Sequence, residues 1–576
     1  MSSAPSASPL SSRPSARNGV PTPDDVVAHT LLNCLLREVS GPEHRTAVTD
    51  GHLLLRLPRT GTLLRVRLRR ASLIGAHRFT GPVAEQRADG WAELPWRTLA
   101  ERVHRELSLR TGVRNDEFLD QVAAGHAGVT AALAAWRAAP DAPADRYLDS
   151  EQSLLFGHRF HPTPKARTGT PEDWARYAPE ARARFPLRHL AVRREYVRED
   201  CLGDGALTAL DRQGAVPDGY ALLPAHPWQY GMLAGHPVLR AALARGDVLD
   251  LGPRGPDFAP TASVRTLYDG TDFLKFSLNI RITNCLRKNA EYELTGAVAL
   301  TRVLEPVATA LAARFPGAAL LREPAYRTLD LGSRELAEGF GVIVREGLAA
   351  RLAPGLTALL AAAVADEYPT SGAQVSRLLA DGGPEAALAW WDAYLGLLVP
   401  PVLAAYFDHG VVLEPHLQNV VVGVDDDGTP RQVLLRDLEG TKLLPEHHAA
   451  ALAALDPTVA RPMTYDRERG WDRVVYCLLV NHLAEILAAL ADRHPHLEPA
   501  LWSAVRRVLA RRAAAHGDPP ELRALVGGAA LPAKANLLTR WERKADRYAG
   551  YVRIGSPLVS DVLAAVSEPG PWGGPL

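Results

Sequence analysis

Apolar residues Val27, Leu31, Leu35 and Val39 recur at helical spacing once the chain passes residue 22. Thr22 can cap this helix, Pro23 suits its first turn, and Asp24 and Asp25 favour its positive end. The period then changes. An apolar run over residues 53–57 is followed by a Pro-Arg-Thr-Gly turn, after which Leu64, Val66 and Leu68 alternate with Arg65, Arg67 and Arg69. That alternation predicts a half-buried strand, and the two runs together predict a hairpin. Helical spacing returns over 96–109 and 116–139 and stops at Pro140 and Pro143. From 150 to about 293 helices become fewer, and Gly, Pro, His and Arg cluster in short segments, a texture that suits ordered loops lining a site. Ala/Leu-rich segments between about 295 and 406 predict helices, 356–365 among them. Strands follow over 411–424 and 432–438 around a turn at 425–428, and the rest predicts helix to about 552. No internal repeat is present.

These changes of texture set residues 1–21 and 22–149 apart from the rest of the chain. At 576 residues and 47% hydrophobic content the chain can bury several cores. Residues 1–20 are rich in Ser, Pro, Ala and Arg and lack the apolar centre of a signal peptide, so they read as a disordered tail. The Ala/Leu-rich segments, 356–365 for example, read as too short to span a bilayer. The 65 basic and 65 acidic side chains cancel, which argues against a nucleic-acid or anionic-membrane partner and leaves anion binding to a local site. Cys34, Cys201, Cys285 and Cys477 are far apart and form no CxxC pair. That excludes a disulfide framework or thiolate zinc site and suits a reducing cytoplasm.

Three segments carry candidate chemistry. In the first, residues 408–420, Glu414, His416 and Asn419 lead into an apolar strand, and Asp437 follows one strand and turn later. Loop Asn and Asp residues beside apolar strands are how kinase-like phosphotransferases hold Mg2+ against nucleotide phosphates, so Glu414, Asn419 and Asp437 are metal candidates. The alternative is a hairpin with a capping Asn and a surface Asp. In the second, residues 263–287, Arg265, Lys275 and Arg287 stand among Ser263, Thr266, Thr283 and Asn284 on runs that read as paired strands. Charge and hydroxyls together suit a triphosphate or polycarboxylate; the alternative is a solvated strand face. In the third, residues 157–169, His158, His161 and Lys165 project from a Pro/Gly-stiffened loop, better suited to an anion than to zinc. A structural loop with surface cations is the alternative. The run Leu-Pro-Ala-His-Pro-Trp-Gln at 223–229 reads as a rigid turn.

In their order, GHRFHPTPKARTG, LLPAHPWQ, SVRTL, LKFSL, ITNCLR, GVIVRE, LEPHLQN, LLRDLEG and LPAKANLLTR resemble the IucA/IucC family of NRPS-independent siderophore (NIS) synthetases, from about residue 151 to the end. The resemblance implies an α+β, cupped-hand fold of thumb (22–149), fingers (150–390) and palm (391–576), the palm distantly kinase-like. It implies ATP and Mg2+ as cofactors, a citrate-like acid and an amine as substrates, and it is compatible with a homodimer. By motif, His158, His161, Lys165, Ser263, Arg265, Thr266, Lys275, Asn284 and Arg287 would bind ATP. Thr283, Arg287, His416, Lys534 and Arg540 would bind the acid, and Glu414, Asn419 and Asp437 the metal. Three positions depart from the family pattern: Arg159 where Pro is expected, Thr170 where an aromatic is common, and Pro415 where a small residue is usual.

The chemistry implied is adenylation, since a carboxylate acylates an amine only after its oxygen becomes a good leaving group. Arg287 and Lys275 would stabilise charge on the α-phosphoryl oxygens, with His416 holding the acid in place for attack. Two other classes fit parts of the pattern. A small-molecule kinase would use the same ATP site, but needs a catalytic Asp where Glu414 and His416 stand. A non-catalytic metal–citrate binder would leave the nucleotide cluster without a role.

Overall fold

The computed structural model describes residues 20–139, 142–203, 205–283, 285–544 and 549–559. Most of the expected tail, and Asn284, lie outside the described residues.

The first helix, Pro23–Leu35, begins as its sequence dictates: the Thr22 hydroxyl accepts from the Asp25 N–H at 3.1 Å. It runs directly into a π-helical turn, Leu36–Ser40. The expected hairpin is His52–Arg56 with Leu63–Arg70, and it belongs to a five-stranded antiparallel meander, Thr46–Thr49 to Gly90–Glu93. Arg78–Arg87 and Gly90–Glu93 escaped the sequence reading because their alternation is broken by Gly81 and Pro82 and by exposed charge. The helices Trp96–Thr111 and Glu117–Ala138 match their expected spans. The core beneath this sheet includes Leu537 and Trp541, so the N-terminal unit is completed by the C-terminal motif.

Two further sheets carry the site. An eight-stranded antiparallel sheet runs Val197–Cys201, Ala325–Leu329, Val342–Arg345, Phe273–Phe276, Thr266–Tyr268, Val248–Pro260, Phe185–Arg193, Tyr220–Ala225. In its middle, Phe273–Phe276 is buried on both faces, which places Lys275 inside the protein opposite Thr266 on one side and Ile343 on the other. A four-stranded sheet runs Ala318–Leu320, Pro430–Leu435, Val420–Val424, Thr357–Leu360. Residues 318–329 pass from the small sheet to the large one, leaving Glu323 at the joint. Asp437 emerges at the same joint, just past Pro430–Leu435.

Two expectations fail here. Residues 356–365 hold the strand Thr357–Leu360 followed by one helical turn, because pairing with Val420–Val424 and burial of Ala358, Leu359 and Leu360 override the helix preference of Ala and Leu. Apolar helices are also longer than expected: Glu291–Arg314, Pro384–Phe407 and the run Arg467–Arg493 could cross a membrane by length and composition alone. Within the fold they are core elements, the last with 94% of its apolar window buried.

Candidate functional site

At the joint of the two sheets three cations and three carboxylates interlock. Lys275 Nζ lies 2.7 Å from Asp437 Oδ1, 2.9 Å from Glu439 Oε2 and 4.0 Å from Glu323 Oε1. Arg265 reaches Glu439 at 2.8 Å, and Arg345 reaches Glu323 at 2.7 Å and Asp437 at 3.4 Å. Lys275 is 1% exposed, whereas the side chains of Asp437 and Glu439 are 34% and 36% exposed, so the cluster opens toward a ligand from its acidic side. Withdrawal from water would raise the Asp437 carboxyl, but Lys275 and Arg345 overcome this and hold it well below the ordinary range. Glu439 is likewise held at about 2 against its burial, by Lys275 and Arg265. Burial works against the Lys275 ammonium, and Asp437, Glu323 and Glu439 raise it above its usual value. All three are therefore charged across physiological pH.

The loop before the Lys275 hairpin is wound tightly. Val264 sits at φ +68°, a strained conformation for a β-branched residue. The turn is held by Thr261 N–H to the Thr266 carbonyl at 2.9 Å and by Thr266 N–H to Ser263 Oγ at 3.2 Å. Ser263, Arg265 and Thr266 are thus presented by one fixed turn beside Lys275.

Opposite lies the loop carrying Glu414, His416 and Asn419. The His416 N–H donates to the Glu414 carbonyl and the Asn419 N–H to the His416 carbonyl, each at 2.8 Å. Asn419 Nδ2 donates to the Glu414 carbonyl at 3.2 Å, so the amide oxygen is the atom of this side chain that can coordinate a cation. Glu414 pairs with Arg473 at 3.0 Å, and its carboxylate packs so closely on Gly440 that a Cβ there would collide with it. Glu414, Asn419 and Asp437 fit Mg2+ chemically. They are hard oxygen donors, both cations on Asp437 sit on Oδ1, and part of the side chain stays exposed. Among the described residues no group of three His, Cys, Asp or Glu is arranged to hold a metal.

Beside this loop the imidazoles gather. His158 Nε2 is 2.9 Å from Asn481 Nδ2, Leu417 N–H donates to Asn481 Oδ1, and His482 Nδ1 is 2.8 Å from the Pro415 carbonyl. Asn481 and His482 come from a second π-helical stretch, Tyr476–Leu483, an irregularity often found at functional sites. Burial first, then the positive fields of His161, Arg37, Lys534 and His416, push His158 down to about 3. Burial also lowers His416, against the pull of Glu414 and Asp437. Both rings are neutral hydrogen-bonding groups near pH 7.

The hairpin Leu278–Ile282 with Cys285–Arg287 docks on the histidine loop. Thr283 N–H donates to the Ala166 carbonyl at 2.9 Å, and Thr168 N–H to the Arg281 carbonyl at 3.1 Å. Thr283, at φ +52°, receives Arg287 Nη2 on its hydroxyl at 3.2 Å.

The structure therefore brings Ser263, Arg265, Thr266, Lys275, His416, Asn419, Glu414 and Asp437 around one joint, with His158, His161, Lys534, Thr283 and Arg287 on adjoining elements. Two candidates are engaged elsewhere. Lys165 is half-buried, donates to the Leu154 carbonyl at 2.8 Å and faces Glu180. Arg540 donates to Gln121 of the N-terminal unit at 2.8 Å. His226 is the turn residue expected, capping Pro227–Leu233 through Nδ1.

Sequence reasoning overlooked Glu439, Glu323, Arg345, Arg473, Asn481 and Arg37. Glu439 and Arg345 stand within motifs already noted, and an Asn-His pair inside an apolar run was a visible anomaly. Arg37 gave no signal: it reaches the site from the N-terminal unit, its guanidinium 3.2 Å over the Phe160 ring.

Comparison with known proteins adds three findings. The chain matches the model of the IucA / IucC family over residues 146–366, and that of the ferric iron reductase FhuF-like transporter over residues 388–549. The chain is 30% identical over 571 residues to the rhizobactin siderophore biosynthesis protein RhbC of Rhizobium meliloti, covering 92% of this chain and 96% of that protein. It is 30% identical over 451 residues to the spermidine-citrate ligase of Bacillus anthracis, covering 72% and 74%. Its fold matches ATP-bound aerobactin synthetase IucA from a hypervirulent pathotype of Klebsiella pneumoniae with a TM-score of 0.81 at 27% identity, over 93% of this chain and 99% of that one.

Proposed function

The chain belongs to the IucA/IucC family, and from that premise we propose that it adenylates a citrate-like acid with ATP and passes the acyl group to an amine. It is an ATP-dependent ligase of siderophore biosynthesis. The observation that carries the finer reading is the joint itself: a buried ammonium and two guanidiniums meet two partly open carboxylates, beside a bank of neutral imidazoles.

In this reading one acid oxygen attacks the α-phosphorus and pyrophosphate departs. Lys275 and Arg265, already fixed by the sheet and the 261–266 turn, face the phosphoryl oxygens as charge grows there. Arg287, held on Thr283, spans phosphate and acid. His158 and His416, kept neutral by burial, donate to or accept from carboxyl and hydroxyl groups without pairing permanently with them. Lys534 and Arg473 add positive charge on the acid side. Asn419, Asp437 and Glu414 would hold Mg2+, whose chemistry is to offset the β- and γ-phosphate charge. The amine then attacks the acyl-adenylate and AMP leaves, with most of the acceleration coming from positioning. The free thiols Cys34, Cys201 and Cys477 suit action in the cytoplasm.

The test is a product assay. Protein is supplied with ATP, Mg2+ and a panel of acids, with hydroxylamine trapping activated acyl groups. Hydroxamate, AMP and pyrophosphate, dependent on a citrate-like acid, are expected. ADP with a phosphorylated product would replace this reading with the kinase one.

A further inference from the structure

Glu151 lies outside every set of site residues above, yet its carboxylate is 0% exposed and saturated with donors. It sits in the short helix Arg146–Gln152. Oε1 accepts from the Tyr147 hydroxyl and from Arg436 Nη1, each at 2.5 Å, and Oε2 accepts from the Ala262 N–H at 3.0 Å. The helix is itself anchored: the Ser150 hydroxyl accepts from the Leu360 N–H at 2.9 Å, and Gln152 donates to the Pro260 carbonyl at 3.3 Å.

The partners matter more than the burial. Ala262 belongs to the strained turn that presents Ser263, Arg265 and Thr266. Arg436 precedes Asp437, donates through Nε to the Gln418 carbonyl at 3.0 Å, and through its backbone N–H to the Asn419 carbonyl at 2.9 Å. One carboxylate thus joins the turn on the nucleotide side to both loops on the metal side.

We propose that Glu151, acting through Arg436, is a positioning residue that fixes the 261–266 turn against Asn419 and Asp437, so that phosphate and Mg2+ are gripped as one unit. This rests on the ATP–Mg2+ reading above. The physical reason is the stake in a buried ionic network. With the Ala262 N–H on one oxygen of a desolvated carboxylate and the Arg436 guanidinium on the other, neither the turn nor the Arg436 segment can shift without stripping a donor from a buried charge, and the spacing between phosphate donors and metal donors becomes fixed. A pair of merely structural value would stabilise the fold without linking ATP affinity to Mg2+.

The experiment measures ATP binding to the full chain by calorimetry, with and without Mg2+, so that it does not depend on turnover. Glu151→Gln keeps the shape and an acceptor for Ala262 but removes the charge facing Arg436. The wild type should bind ATP more tightly with Mg2+. In Glu151→Gln that Mg2+-dependent gain should fall by about tenfold while Mg2+-free affinity changes less than about twofold. Arg436→Lys should behave alike, and the double variant no worse than the poorer single one. Tyr147→Phe, which removes one hydroxyl and keeps both charges, guards against misfolding and should lower the gain by about two- to threefold. An Mg2+-dependent gain equal to wild type in folded Glu151→Gln and Tyr147→Phe overturns the proposal, whatever their melting temperatures. Absence of acid-dependent pyrophosphate release from the wild type would instead overturn the adenylation reading, and the binding comparison would still decide the role of Glu151.

Discussion

Replacing Lys275 with Met keeps most of the side-chain volume and deletes one charge at the centre of the joint. At 2.7 and 2.9 Å, its attractions to Asp437 and Glu439 are each about 6 kcal/mol gross at an effective dielectric near 20. Most of that is cancelled by the cost of burying an ammonium, and the two carboxylates are a third exposed and screened by water. The net loss of stability should be only about 2–3 kcal/mol. Arg265 and Arg345 still face the acids, so the fold should survive with a lower melting temperature. The catalytic loss should be larger. A preorganised donor to a phosphoryl oxygen in a dry site contributes about a hundred- to a thousandfold in rate. Acid-dependent ATP–pyrophosphate exchange, measured at saturating acid on the folded variant, should fall by that factor. If Lys275→Met melts earlier yet exchanges at the wild-type rate, the lysine is an internal counter-charge only. The cluster would then not be the phosphate cradle.

Arg287→Ala should abolish acid-dependent pyrophosphate release with near-native circular dichroism; wild-type release would remove Arg287 from the α-phosphate. Asn419→Ala and Asp437→Ala should each raise the Mg2+ concentration for half-maximal activity by about tenfold or more, and indifference of both to Mg2+ would dismantle the metal assignment. His226 provides a pH test away from the site. Burial lowers its imidazole to about 3, so the folded state resists protonation, and stability present above pH 6.5 is lost as pH falls toward 3. His226→Asn keeps the helix cap and removes the titration. Between pH 6.5 and 5.5 the wild type should lose about 1 kcal/mol relative to the variant in urea titrations, and parallel curves would contradict the assignment.

Local elements were readable wherever local physics decides them. The cap at Thr22, the His52–Arg70 hairpin and the long helices of the N-terminal unit follow from spacing and turn chemistry alone. Thr266 and Lys275 were expected on paired strands and stand directly opposite each other. What could not be read was depth. Alternation suggests which residues share a face, but whether Lys275 faces water or another sheet depends on residues 318–329 crossing between sheets some fifty positions later. The same limit hid Glu151 and Arg37, whose partners are hundreds of residues away or on another unit. Ala/Leu-rich 356–365 misled for the complementary reason: composition favours helix, and pairing with a distant strand, Val420–Val424, in a buried sheet overrules it.

The three departures from the family pattern can now be located. Arg159 runs behind the histidine loop, 3.7 Å from Glu367 and 3.6 Å from Glu485, and donates to the His77 carbonyl. It ties that loop to the N-terminal unit and to the helical run Arg467–Arg493. Thr170 closes a reciprocal capping box with Asp173 at the start of Pro171–Tyr177. Pro415 contributes its carbonyl to His482 Nδ1, which fixes the loop that presents His416. Each departure acts on scaffold, and none replaces a side chain that faces the joint. Divergence at these positions therefore adjusts scaffold contacts, and says little about which acid is bound. On the proposed reading, selectivity for the acid falls to the groups where charge meets the imidazole bank, Arg473, Lys534 and the Thr283–Arg287 hairpin beside His158 and His416, whose donors can match carboxylates and hydroxyls.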